Sequence, residues 1–147
     1  MKVQMQEMLN KLKELLVNFS TYIEMENKNG EFGINKLAEN IIGGLLGIIF
    51  GCEFKNMNVS SQNYPTIDLA DEDKRIAVQI TSENASRKIL ETVAGIKERK
   101  LYQQYDMIYI YILTRKKKYK KLKERIGAET GEEFYFPAEH ILDLNDI

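Results

Sequence analysis

The chain has 147 residues, 44% of them hydrophobic and 29% charged, with a formal net charge of −1. It is long enough to bury a core without disulfide or metal staples. That net charge argues for no partner by itself; only its distribution can. The single Cys52 excludes an internal disulfide and suits a reducing compartment. Met1-Lys2-Val3-Gln4 opens a charged amphipathic run rather than a leader. The most apolar stretch, Ile41 to Phe50, is ten residues, short of the roughly 20 that span a bilayer. A cytoplasmic domain with no membrane partner is expected.

Residues 2–26 read as a helix, with Met1, Met5, Met8, Leu12, Leu15, Phe19 and Tyr22 at alternating steps of four and three. So short a heptad run is marginal for a coiled coil, so packing on its own domain is expected ahead of dimerisation. Asn27-Lys28-Asn29-Gly30 ends it. A second helix is expected from Asn35, a good N-cap residue, to about Gly51. Its residues are apolar almost all round, which predicts a central helix covered on most faces. Gly43-Gly44 predicts close approach of another backbone. Glu39 lies between Asn35 and Gly43, on the one line free of large apolar groups. It is either a boundary carboxylate in the first turns or one aimed into a site.

Residues 53–64, rich in Asn and Ser, read as a loop. A β-hairpin follows: one strand from Pro65 to Ala70, a polar turn at 71–74, and a return strand from Arg75 to Thr81. Alternation places Ile67 and Leu69 on one face, and Thr66, Asp68 and Ala70 on the other. In the return strand Ile76, Val78 and Ile80 share the apolar face, with Ala77, Gln79 and Thr81 opposite. A turn centred near Glu72 and Asp73 sets Asp68 opposite Ala77, with Gln79 its diagonal neighbour. An Asp among small strand neighbours needs solvent, a loop amide or a ligand as partner.

Ser82 or Asn84 is expected to cap a helix running to about Tyr102, with Ile89, Leu90, Val93 and Ile96 inward. Met107 to Leu113, alternating Tyr and Ile, reads as a strand inside a sheet. Arg115 to Arg125 carries eight basic residues against Glu124 and reads as a short helix closed by Gly127. Glu133 to Phe136 reads as a strand stopped by Pro137. The ILDLNDI tail looks like the start of another element, so residues 1–147 are expected to be a single domain at the N-terminal end of a longer protein. The element order predicts an α/β domain with a central mixed β-sheet flanked by helices and a long N-terminal helix.

His140 is the sole histidine, so neither a Ser-His-Asp nor a Cys-His pair is supported unless it alone serves, and a structural zinc site is excluded. No Gly-rich phosphate loop follows a strand. What remains is oxygen-rich: Glu39, Asp68, the Gln79 amide oxygen and the main-chain carbonyl of Ile80. Hard oxygen donors suit Mg²⁺ or Mn²⁺, which can orient water and stabilise a phosphodiester transition state. Arg115, Lys116, Lys117, Lys118, Lys120 and Lys121 could track a phosphate backbone, with Tyr119 available for stacking, or could form a solvated face.

A Glu on an early helix, an Asp on the first hairpin strand and a Gln-x-Lys-like pattern on the next strand resemble the plan of the PD-(D/E)XK endonuclease-like superfamily. Here those positions are Glu39, Asp68 and Gln79-Ile80-Thr81. More narrowly, NYPTIDLAD, IAVQITS and the following Lys88-Ile89 resemble the SMEK domain, and INKLAENIIGGLLGIIFG and YIYILTRKKKY fit its plan, from about residue 19 onward. The resemblance implies a restriction-endonuclease-like fold and a metal-dependent nuclease domain of a bacterial anti-phage defence protein. It implies nucleic acid as partner, DNA ahead of RNA, and other domains or subunits of a defence system, with a homo-oligomer allowed. Glu39, Asp68, Gln79 and Ile80 would hold the metal. Thr81 stands where active relatives carry lysine; Lys88 would serve in its place or be one charge on an exposed helix face. The departure keeps two alternatives open: a catalytically degenerate nucleic-acid-binding relative, and a protein-interaction or oligomerisation module led by the first helix.

Overall fold

The computed structural model describes residues 2–60 and 66–147. Met1 of the helical stripe, residues 61–64 of the expected loop and the Pro65 start of the expected first strand lie outside them. The elements are helices α1 (Lys2–Lys28) and α2 (Gly33–Phe50), strand β1 (Lys55–Asn56), the short helix α3 (Met57–Ser60), strands β2 (Leu69–Asp71) and β3 (Ile76–Thr81), helix α4 (Ser86–Glu98), strand β4 (Met107–Ile112), helix α5 (Leu122–Thr130) and strand β5 (Ile141–Leu142).

The strands form one sheet in the order β1-β2-β3-β4-β5. β1, β2 and β3 pair antiparallel, while β3–β4 and β4–β5 are parallel. Parallel neighbours need crossovers, and helices α4 and α5 supply them on one face of the sheet. The central strand β4 divides two cores by alternation. Ile108, Ile110 and Ile112 pack with Ile89, Val93 and Ile96 of α4 and with Leu122 and Ile126 of α5. Tyr109, Tyr111 and Leu113 pack with Ile23 of α1 and with Ala38, Ile42 and Leu46 of α2. A strand covered on both faces must be apolar throughout, as MIYIYIL is. The mixed α/β architecture with a long N-terminal helix is as the sequence predicts.

Several local expectations are corrected. Helix α2 begins two residues before Asn35, with Phe32 at its N-cap position; the Asn35 side chain instead reaches Ser82 Oγ at 3.4 Å. Leu37, Ile41, Ile48 and Ile49 are exposed, so this helix is covered on one side only. Taken whole, α2 has the length and composition to cross a membrane, but Ala38, Ile42 and Leu46 are committed to the core. Helix α4 begins at Ser86 after Ala85, not at a Ser82 or Asn84 cap, and Tyr102 lies beyond it in a 3₁₀ turn. Residues 55–60, expected as loop, form β1 and α3.

The basic run is not one helix. Residues 115–121 are an irregular connection, and α5 holds Gly127 in its interior and ends at Gly131, whose φ is 58°. Lysine-rich sequence favours helix, but tertiary bonds win here. The Lys116 N–H donates to Asp143 Oδ2 at 2.9 Å, and Lys121 is left-handed at φ 54°. Residues 133–136 are not a strand either. Phe134 stacks on Tyr102, with ring centres 4.9 Å apart, Phe136 enters the core, and the β4 edge is taken by Ile141 and Leu142.

Candidate functional site

The hairpin sets the site. Leu69 pairs with Val78 and Ala70 with Ala77, so continuing the register puts Asp68 against Gln79 rather than Ala77. The shift arises because the turn takes in Glu72–Arg75, with Arg75 at φ 58°. Asp71 organises that turn: Oδ1 accepts from Lys74 N at 3.0 Å and Oδ2 from Glu53 N at 2.9 Å. Ile67 and Leu69 enter opposite cores, against the expected shared face, because residues 66–68 lie outside β2 and strand alternation does not hold there.

Where β2 stops, the Asp68 side chain takes over its bonding. The buried carboxylate accepts from Ile80 N–H at 2.7 Å through Oδ2 and from Asn58 Nδ2 at 3.0 Å through Oδ1. With its amide nitrogen turned inward, Gln79 donates to the Thr66 carbonyl and, at 3.2 Å, to Asp68 Oδ2. The opposite orientation would set its oxygen against two acceptors. Gln79 therefore presents a donor to Asp68, and its oxygen ligates a cation only after the amide rotates. Ile80 meets Asp68 through its N–H, while its side chain lies in the core under α1 and α2.

Glu39 approaches from α2. Its carboxyl is pushed up by burial and then by the Asp68 charge, with side-chain hydrogen bonds to Asn58 and Asn56 opposing. Burial likewise raises Asp68, against the pull of the Ile80 and Asn58 bonds and of the Lys88 charge from the first turn of α4. The structure thus sets Gln79 against Asp68, with Glu39 and Lys88 near enough for their charges to be felt. Asn58 and Asn56, which sequence reading passed over as loop, belong to the same cluster. Their only signal was the Asn-rich composition of that stretch. Thr81 stands apart: it is buried and its Oγ accepts from Glu83 N–H at 3.0 Å, shaping the turn into α4.

The loop after β4 lies beside the start of α4. Thr114 Oγ donates to the Ser82 carbonyl at 3.1 Å, Asn84 Nδ2 to the Arg115 carbonyl at 2.8 Å, and Tyr119 OH to the Asn84 carbonyl at 2.7 Å. Tyr119 is therefore committed to the loop rather than free for stacking. Lys116 is committed too: its Nζ donates to the Ile141 carbonyl and lies 2.8 Å from Asp146 Oδ2. Arg115, Lys117, Lys118, Lys120 and Lys121 are exposed. His140 is structural, its Nδ1 2.9 Å from the Ile108 carbonyl and its ring 4.3 Å from that of Tyr109.

Two neighbouring carboxylates, both raised by burial and Glu39 also by the Asp68 charge, with carboxamides around them, make a donor set of the kind a hard divalent cation neutralises. Glu39 and Asp68 would be the charged ligands of such a cation; among the described residues they are not joined by a third His, Cys, Asp or Glu. The fold and this cluster define an α/β domain with a paired-carboxylate site beside the C-terminal end of a parallel strand, where such sheets place their sites. The family model of the SMEK domain matches residues 11–147, and the chain belongs to that family. No curated protein and no solved structure matches the chain.

Proposed function

We propose that this SMEK domain is a restriction-endonuclease-like relative of the PD-(D/E)XK superfamily. In this reading it is a nuclease domain of a cytoplasmic bacterial anti-phage defence protein, acting on DNA ahead of RNA. The observation that carries the reading is the grouping of Glu39, Asp68, Gln79 and Lys88 at one end of β3. Glu39 and Asp68 bind the divalent cation; Asn58, Gln79 and the Ile80 N–H hold the Asp68 carboxylate in place. When bound, the cation lowers the pKa of a coordinated water and stabilises charge on a phosphodiester. Lys88 replaces the lysine that Thr81 lacks, placing its ammonium where charge develops on the phosphate. Lys117, Lys118, Lys120 and Lys121 hold the nucleic-acid backbone.

The test offers duplex DNA, single-stranded DNA and RNA to the full-length protein with Mg²⁺ or Mn²⁺. Asp68→Ala should abolish cleavage, and Lys88→Ala should slow it about a hundredfold, the cost of losing one such donor (~3 kcal/mol). If no substrate is cut and calorimetry shows no metal bound, the reading falls to a degenerate domain that only binds. The Thr81 Oγ bond to Glu83 N–H, which makes the lysine position a turn device, favours that second reading.

A further inference from the structure

A cavity lies beside the β3–α4 turn. It is open, has a volume of about 390 Å³, and lies between the end of α1 and the loops that follow β3 and β4. Asn27, Phe32, Ser82, Asn84 and Arg115 are among the residues that line it. Among the described residues, both polar side-chain atoms of Asn27 are buried without a hydrogen-bond partner, and so is Oδ1 of Asn35. Asn35 bonds Ser82 on the cavity wall. A buried amide with neither bond made is costly, and Asn27 lines this cavity while its own polar atoms are covered.

We propose that this cavity takes a single nucleotide. An adjacent donor and acceptor on one carboxamide match the edge of a base, as Asn and Gln do when they pair with bases. Phe32, 58% exposed at the rim, offers a ring on which any base can stack. Charge argues for a base over a bare phosphate, because Glu24 and Glu83 balance Lys28 and Arg115 around the opening. Lys28 also lies 4.0 Å from Glu24, which leaves Arg115 as the cation for the one phosphate that accompanies the base. Asn35 and Glu39 sit one turn apart on α2, ~6 Å along its axis, so a nucleotide here is the neighbour of a phosphate at the Glu39–Asp68 cluster. That placement rests on the nuclease reading; the chemistry of the cavity does not.

The experiment uses the full-length protein in metal-free buffer, with fluorescein-labelled dA, dC, dG and dT homopolymers and, separately, nucleoside monophosphates as competitors. Saturable strand binding is expected. Phe32→Ala and Asn27→Ala should each weaken it about tenfold, and Asn27→Asp, which keeps the shape and removes the donor, should change the preferred base. Phe32 is exposed, so its variant keeps the fold. Competition by a monophosphate identifies a free nucleotide as sufficient; strand binding without competition supports the site when the Phe32 and Asn27 substitutions weaken it, since the lysines beyond β4 would hold a strand unchanged. Binding is read without metal, so its outcome is independent of cleavage, and saturable binding by a protein that cuts no substrate separates this proposal from the nuclease reading. No saturable binding of either probe, or strand affinity and base preference untouched by the Asn27 and Phe32 substitutions, overturns it.

Discussion

A carboxylate buried beside another is held away from its charged form, and burial is the larger cause for both Glu39 and Asp68. Each titrates above its ordinary value, 4.5 and 3.8 respectively. Between those values and the raised ones, the folded chain keeps protons that the unfolded chain has released. Stability therefore falls as pH rises through that window, and the penalty is complete above it. Glu39→Gln keeps the shape and removes the charge, so melting at pH 7 should shift up on the order of 2 °C. The gain should vanish below about pH 4, where the wild-type carboxyl is neutral as well. An unchanged or lower melting temperature at pH 7 would place Glu39 in water rather than against Asp68. Asp68→Ala acts the other way: it strips the acceptor from the Ile80 N–H, which costs about 1–3 kcal/mol.

At the scale of an element, α2 carries three interior glycines with three different surroundings. A Cβ at Gly44 would meet nothing within 4 Å, at Gly43 it would lie 2.9 Å from Leu69 Cδ1, and at Gly47 2.9 Å from the Cys52 carbonyl oxygen. Gly44→Ala should therefore stabilise the chain by about 1 kcal/mol through helix propensity. Gly47→Ala should destabilise it, because a backbone carbonyl cannot give way, and Gly43→Ala should fall between, since a leucine tip can. Urea midpoints in any other order would mean that α2 packs differently. The sequence pair Gly43-Gly44 does announce close approach, but only Gly43 meets a neighbour, the Leu69 side chain. Elements with strong periodicity, α1, α2, β3 and β4, were legible to within a few residues. The connection at 115–121 was not, because its conformation is set by bonds to Asn84 and Asp143, far away in sequence. Nor was the hairpin register, which turned on the left-handed Arg75.

For the molecule as a whole, a net charge of −1 supplies no general attraction to a polyanion, so affinity must come from a local patch. In the proposed function the exposed lysines beyond β4 are that patch. Replacing Lys117, Lys120 and Lys121 with Ala should weaken nucleic-acid binding and flatten its dependence on salt, by about one unit of slope for each phosphate that is no longer neutralised. A slope unchanged in the triple variant would return these side chains to plain solvation. The sequence singles out Asp68, Gln79 and Glu39, but the register that sets Asp68 beside Gln79 is not the predicted one. Asn56 and Asn58 could not be read, because a two-residue strand and a four-residue helix leave no period in a sequence. Asn27 could not either, since whether a helix-end amide finds a partner depends on loops that follow it by more than fifty residues.

In the central sheet, the carboxylate of Asp68 supplies the acceptor for one main-chain amide, that of Ile80. Charge at the site and cohesion at the sheet edge are therefore a single quantity. Whatever draws electron density from that carboxylate, a proton or a cation, slackens the bond to Ile80 and is felt along β3, which pairs with β4 from Ile76 to Thr81. Protonation of Asp68 is thus expected to loosen the sheet at Ile80.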